Sequence, residues 1–237
     1  MTQLRRTGPA LGLELVVALS AIAEPLAAQT PPVVIAMLPF EDRGSYGQDK
    51  QIFRALQLGI PATIAGELSG HSELRLTEPA RVTRALRALN LDPMARLDAA
   101  TAARVGKEAG ARYAITGTFA DFYGKIRLDA RIIDVEAGQI LKVVSNNDPK
   151  LQDRADLYRI VQVVGHKVLA EATSARREAS HSDSRVVPTE ALTQYSLGLL
   201  YESQGDNARA AQHYNEALST LPNYPEARDG VRRVRGS

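Results

Sequence analysis

The sequence predicts an α/β (α+β) protein: a mixed sheet with a three-stranded antiparallel meander flanked by helices, then a C-terminal helical hairpin and a capping helix. Three observations predict it. Residues 33–38 are continuously apolar, the pattern of a strand buried on both faces. Between Tyr113 and Ser145 three alternating segments are separated by Tyr123-Gly124 and by Glu136-Ala137-Gly138. Stripes of helical period fill most of the remainder.

In chain order, Pro39 is expected to end the first strand, with a polar loop over residues 41–49. Ile52, Phe53, Leu56, Ile60, Ile64 and Leu68 then recur at helical spacing. Pro61 interrupts them, so either a kink or two abutting helices is expected. Residues 74–76 suit a short strand, and residues 78–89 a helix with Val82, Leu86 and Leu89 on one face. Asp98 is a candidate N-cap for a helix that ends at Gly110. Tyr113, Ile115, Gly117 and Phe119 alternate as the first meander strand. In the second, Ile126, Leu128, Ala130 and Ile132 alternate with Arg127, Asp129 and Arg131, as one wet face requires. Gly138 is free to take positive φ in the next turn, and residues 139–145 return as the third strand. Leu157, Ile160, Val161, Val164, Val168 and Ala172 form a stripe expected to lie across the sheet.

The first 28 residues read as a signal peptide. Arg5 and Arg6 precede an apolar run of roughly 13 residues, too short to span a bilayer, and Leu26-Ala27-Ala28 offers a cleavage site before Gln29. Removing 28 residues from 237 leaves 209, enough for one α/β domain and a small helical unit. The expected division is an α/β domain over residues 29–175, a charged, serine-rich linker over 176–188, and a helical unit over 189–237. The mature chain is expected not to span a membrane and to reside in the periplasm. Absence of cysteine excludes disulfides, Cys-based metal sites and the usual lipid-anchor cysteine. A net charge of +2 gives no reason to expect nucleic acid as a partner.

In the helical unit, Leu197, Gly198, Tyr201, Ala210, Tyr214, Ala217 and Pro222 stand in one register. Gly198 and Ala210 are small where two helices approach, Tyr201 and Tyr214 fill the gap, Gly205-Asp206 breaks the chain and Pro222 stops the second helix. The pattern resembles the 34-residue tetratricopeptide repeat, with Gln194 where a large aromatic residue is usual. Residues 225–235 read as a capping helix. One repeat cannot bury a continuous core, so the unit is expected to dock on the rest of the protein or on another chain. Helical spacing puts Leu192, Tyr195, Leu199 and Glu202 on the concave face of the first helix. They either form a groove for a peptide or partner helix or bury against the α/β domain or the linker.

Three further motifs carry a family resemblance: residues 35–41 (IAMLPFE), residues 106–118 (GKEAGARYAITGT) and residues 131–140 (RIIDVEAGQI). Their order over about residues 32–172 resembles the CsgG / FlgO / TolB amino-terminal-like envelope proteins. The resemblance implies an envelope protein without a shared catalytic motif: a channel subunit, an accessory factor or a recruiting domain. The chain lacks the lipidated cysteine, and its loops at residues 41–50 and 122–125 are too short to add membrane-crossing hairpins, each strand of which needs about 9–11 residues.

No catalytic, cofactor-binding or metal site is legible. His71, His166, His181 and His213 lack metal-ligand spacing, and Gly70-His71-Ser72-Glu73 reads as a turn rather than an esterase motif. No dinucleotide or P-loop fingerprint is present. Asp121, Asp129 and Asp134 are read as solvated structural carboxylates, Asp129 in a cross-strand ion pair and Asp134 as a turn cap. The leading expectation is a non-enzymatic periplasmic adaptor for protein partners, with self-association left open. The alternatives are a secretion-channel subunit and an enzyme assembled from distant loops.

Overall fold

The computed structural model describes residues 31–47, 49–94, 96–146, 152–173 and 185–236. The expected signal peptide, His181 and most of the expected linker lie outside the described residues. The sheet is mixed. Strand β1 (Val33–Asp42) lies between the short β2 (Leu74–Leu76) and β3 (Tyr113–Phe122), parallel to both. From β3 the sheet continues antiparallel through β4 (Lys125–Asp134) to the edge strand β5 (Gln139–Ser145), and β6 (Gln152–Asp153) pairs with the start of β4.

Alternation along the strands sorts the sheet into two faces. Ile35, Phe40, Ile115, Phe119, Ile126, Leu128 and Ile132 bury against α1 (Lys50–Leu68) and α4 (Leu157–Ala172). Ala36, Leu38, Ala114 and Ile133 bury against α2 (Pro79–Ala88) and α3 (Ala99–Glu108). All six residues of the α4 stripe are buried, and α4 packs on β4 and β5. Asp98 caps α3, accepting the Thr101 N–H at 2.7 Å. Asp134 caps its turn, accepting the Glu136 and Ala137 N–H groups at 2.9 Å, and the Arg112 guanidinium that forks it holds its carboxyl below the usual range.

Pro39 and Pro61 are each accommodated inside a continuous element. Pro39 does not end β1, which continues to Asp42. The ladder instead shifts register between Met37 and Phe40, because Pro39 has no N–H to give, and its carbonyl accepts from Thr116 Oγ1 at 2.8 Å. Helix α1 runs unbroken through Pro61, so the two-helix alternative is excluded. Pro61 is buried, and burial of the same helix against the sheet and α5 offsets the lost hydrogen bond.

After Pro188 come α5 (Thr189–Ser203), α6 (Asn207–Thr220) and α7 (Pro225–Arg235). The α5–α6 hairpin turns at Gly205 (φ 78°), and Asp206 caps α6 through the Arg209 N–H. Helix α5 packs on α1, and most buried apolar residues of the three helices join those of α1, α4 and the sheet in one cluster, while Leu197 and Leu200 pack with Ala55 of α1. Pro31–Ser237 forms one compact unit. No helix among the described residues is long and apolar enough to cross a membrane.

Candidate docking site

The exposed aromatic side chains gather at one end of the meander. Strands β3 and β4 are joined by Tyr123-Gly124, both in the left-handed region at φ 53° and 85°. Two such residues are what a tight hairpin matching the strand twist requires, and glycine, asparagine or aspartate normally supply them. A tyrosine in the first slot is sterically costly, by about 1–2 kcal/mol. Its ring is 84% exposed. Tyr46, from the loop after β1, forms a parallel bridge with Phe122 and is 55% exposed; Phe122 is 38% exposed. The Tyr46 ring lies 5.7 Å from that of Phe122 and 5.8 Å from that of Tyr123, nearly parallel to the latter at 25°. Together the three rings make an aromatic platform in solvent.

A buried carboxylate holds it. Asp121 has no exposed surface. Its Oδ1 accepts the Gly124 N–H at 2.7 Å, its Oδ2 lies 3.1 Å from Arg154 Nη1, and its carbonyl accepts the Tyr46 N–H at 2.8 Å. The Asp121 N–H in turn donates to Ser45 Oγ at 2.9 Å, while Ser45 donates twice to Asp42. Arg154 also reaches Asp49 at 3.3 Å and donates its backbone N–H to the Gly124 carbonyl at 2.7 Å. Hairpin turn, loop and the 3₁₀ turn Arg154–Asp156 therefore share one ion-paired centre. This corrects the reading of Asp121 as solvated: the side chain is structural, but buried and charge-paired. Asp129 is also paired differently from expectation, with Arg127 of its own strand at 2.9 Å rather than across the sheet.

The residues singled out by helical spacing lie elsewhere. Leu192 is fully buried and Tyr195 is 5% exposed, its ring against those of Tyr214 and Tyr224. Leu199 packs on the same cluster, partly buried. Glu202 accepts the Tyr214 hydroxyl and forks with Arg233 at 2.9 and 3.0 Å. Burial raises its carboxyl, but Arg233 and Tyr214 more than offset that and hold it low. These four side chains thus face the interior of the helical layer. Of the repeat positions, Leu197, Gly198, Tyr201, Ala210, Tyr214 and Ala217 are buried, and Pro222 is exposed just beyond α6. Tyr214 is clamped between glycines: its Cζ would lie 2.9 Å from a methyl at Gly198 and 2.6 Å from one at Gly230. The slot filled by Gln194 is bridged by its contact with His213 Nδ1 at 2.8 Å.

A polar knot ties these helices to the α/β layers. Arg185 forks Glu226 of α7 at 2.7 and 3.0 Å and donates to the Tyr158 hydroxyl at 3.2 Å, and Tyr158 donates to Glu67 of α1. Burial, with Glu67 beside it, pushes the Tyr158 hydroxyl up to about 12.

Sequence reasoning missed the platform. The available signal was Tyr123 itself, in a two-residue turn where its type is out of place. The residues that support it, Ser45, Asp121 and Arg154, carry no mutual spacing. Among the described residues, no three His, Cys, Asp or Glu side chains converge as metal ligands.

No protein-family model matches the chain, and no curated protein sequence does. Solved structures with similar architecture include the LpoB C-terminal domain from Escherichia coli: 16% identity, TM-score 0.38, covering 50% of this chain and 84% of that one. Lipoprotein GNA1162 from Neisseria meningitidis gives 16% identity and a TM-score of 0.39 over 58% of this chain and 97% of that one. TolB from Acinetobacter baumannii gives 17% identity and a TM-score of 0.36 over 62% of this chain and 29% of that one. Likeness of this order fixes neither partner nor activity.

Proposed function

We propose that this chain is a non-enzymatic adaptor of a bacterial cell envelope, exported through its N-terminal segment, that grips a protein partner with the platform of Tyr46, Phe122 and Tyr123. One observation carries the reading: the rings of Phe122 and Tyr123 both pack on Tyr46 and stand in solvent on a pedestal fixed by a buried ion pair. Rigid tyrosines supply large contact area at low entropic cost, which is why they anchor interfaces. Backbone strain is accepted at Tyr123 although its ring, 84% exposed, packs only on Tyr46 among the described aromatic rings. The envelope setting is supported by the signal-like N-terminus and by the motifs whose order resembles the CsgG / FlgO / TolB amino-terminal-like proteins. In this reading α5, α6 and α7 are one tetratricopeptide-like repeat with its cap, used to close the core over α1.

The test is site-specific photocrosslinking in cells, with the crosslinker at position 123 and, as a control, at Arg228 on α7. A discrete partner captured from position 123 only, and lost when Tyr46 and Phe122 are both changed to Ser, supports the proposal. Equal capture from both positions, or none from position 123, rejects it.

A further inference from the structure

On the sheet face opposite α1 and α4, a cleft of about 440 Å³ opens where the start of α2 meets the end of α3. Arg75 of β2 and Arg81 and Arg84 of α2 line it. Among the described residues none of the three belongs to an ion pair, whereas Arg112, Arg154, Arg185 and Arg233 all do. The only carboxylate on the lining is that of Glu78, so three arginines and one glutamate leave a net +2. Like charges on one wall repel one another, and an anion among them relieves that repulsion. Two features add to the positive field and the donor set. Helix α2 presents its amino end, starting at Pro79, and Thr77, whose buried hydroxyl has no hydrogen-bond partner, is among the residues of the lining. Gly110 (φ 73°) lacks a Cβ, and Arg81 Nη2 would lie 3.7 Å from one, so the guanidinium sits beside Gly110 on the lining.

We propose that this cleft binds a phosphate-bearing anion of the phosphomonoester class through Arg75, Arg81 and Arg84. The charge matches: a phosphomonoester carries about −1.5 to −2 at pH 7, against the +2 of the wall. The donor set matches as well. Guanidiniums from two elements address a group whose three acceptor oxygens diverge, whereas a lone carboxylate engages one fork. A cleft of this volume exceeds the needs of inorganic phosphate and admits the organic group esterified to it. The site is separate from the aromatic platform, so either can fail without the other.

The same chemistry comes from a soluble phosphate ester or from a phosphomonoester lipid headgroup, and the experiment separates them. The purified chain is titrated with phenyl phosphate at constant ionic strength, by calorimetry and by amide NMR. Vesicles of phosphatidylcholine with and without phosphatidic acid are tested by flotation. Saturable binding that shifts the amides of Arg75, Thr77, Arg81 and Gly110 is expected. R81Q/R84Q should weaken it by about tenfold or more, as loss of charge-assisted hydrogen bonds requires, and E78Q should tighten it. If circular dichroism shows that R81Q/R84Q does not fold, Arg75→Gln replaces it. Binding to phosphatidic acid vesicles alone assigns a lipid headgroup, and binding to phenyl phosphate assigns a soluble ester. Absence of both, an equal loss with Arg228→Gln, or equal affinity for a glutamate-rich peptide overturns the proposal.

Discussion

A methyl group at Gly59 of α1 would stand 2.5 Å from the Cβ of Ser196 of α5 and closer still to its hydroxyl. The two helices therefore meet at backbone distance, and Ser196, fully buried, donates its hydroxyl to the Leu192 carbonyl at 2.7 Å within α5. Such a contact is built for permanence. It explains why Leu192 and Tyr195 have no free face: α1 covers one side of α5 while α6 and α7 cover the other.

Gly59→Ala tests that contact with a sign that separates two effects. In an exposed helix the change stabilises by about 1 kcal/mol. Here overpacking against Ser196 should dominate, with a net loss of about 1–3 kcal/mol in urea unfolding. Adding Ser196→Gly should recover part of the loss, as coupled neighbours do.

Asp121→Ala should leave Arg154 without its buried partner. Breaking a buried pair costs about 3–5 kcal/mol, and Arg154, nearly one-third exposed, lowers that to about 2–3 kcal/mol. Amide hydrogen exchange is the sharper readout. The N–H of Gly124, which loses its side-chain acceptor, should lose protection before those of β1, whereas the N–H of Tyr46, bonded to the main-chain carbonyl of residue 121, should be affected less.

Tyr123→Asn should separate stability from binding. Asparagine tolerates the left-handed slot, so thermal stability should hold or rise by up to about 1 kcal/mol. Partner capture through the platform should fall. A loss beyond about 1.5 kcal/mol, more than stacking on Tyr46 supplies, would show that the ring serves the fold and would count against the docking role.

Acid should loosen α7 first. Glu202 sits below its ordinary value of 4.5 when folded, because Arg233 and Tyr214 outweigh the burial that raises it. A depressed carboxyl contributes stability above its unfolded value. That contribution is present at neutral pH and is lost as pH falls below about 4.5 toward the lower folded value. Melts between pH 7 and 3 should show a decline of about 1 kcal/mol or less from this group, since Arg233 is half exposed. Glu202→Gln should be less stable at pH 7 and lack that part of the decline.

The meander is legible in the sequence because alternation and turn residues are local. Strand β5 spans the expected residues 139–145, and the six-residue stripe of α4 is buried throughout. Pro39 misleads, because the sequence does not say where a missing N–H falls in a ladder; a shift of register absorbs it. Asp121 misleads for a different reason. Its neighbours in sequence are Ala120 and Phe122, and nothing local announces that Arg154 will arrive at 3.1 Å. Helical spacing groups Leu192, Tyr195, Leu199 and Glu202 on one face of α5, but it is silent about how many surfaces compete for that face.

The sequence by itself determined the elements, their order and the burial of their apolar stripes, because periodicity and turn chemistry act between residues a few positions apart. Tertiary structure alone decided which surfaces stay open. The contact of Gly59 with Ser196, the meeting of Tyr46 with Tyr123 and the gathering of Arg75, Arg81 and Arg84 each join separate elements. Their energies depend on distances that exist only once the layers have packed.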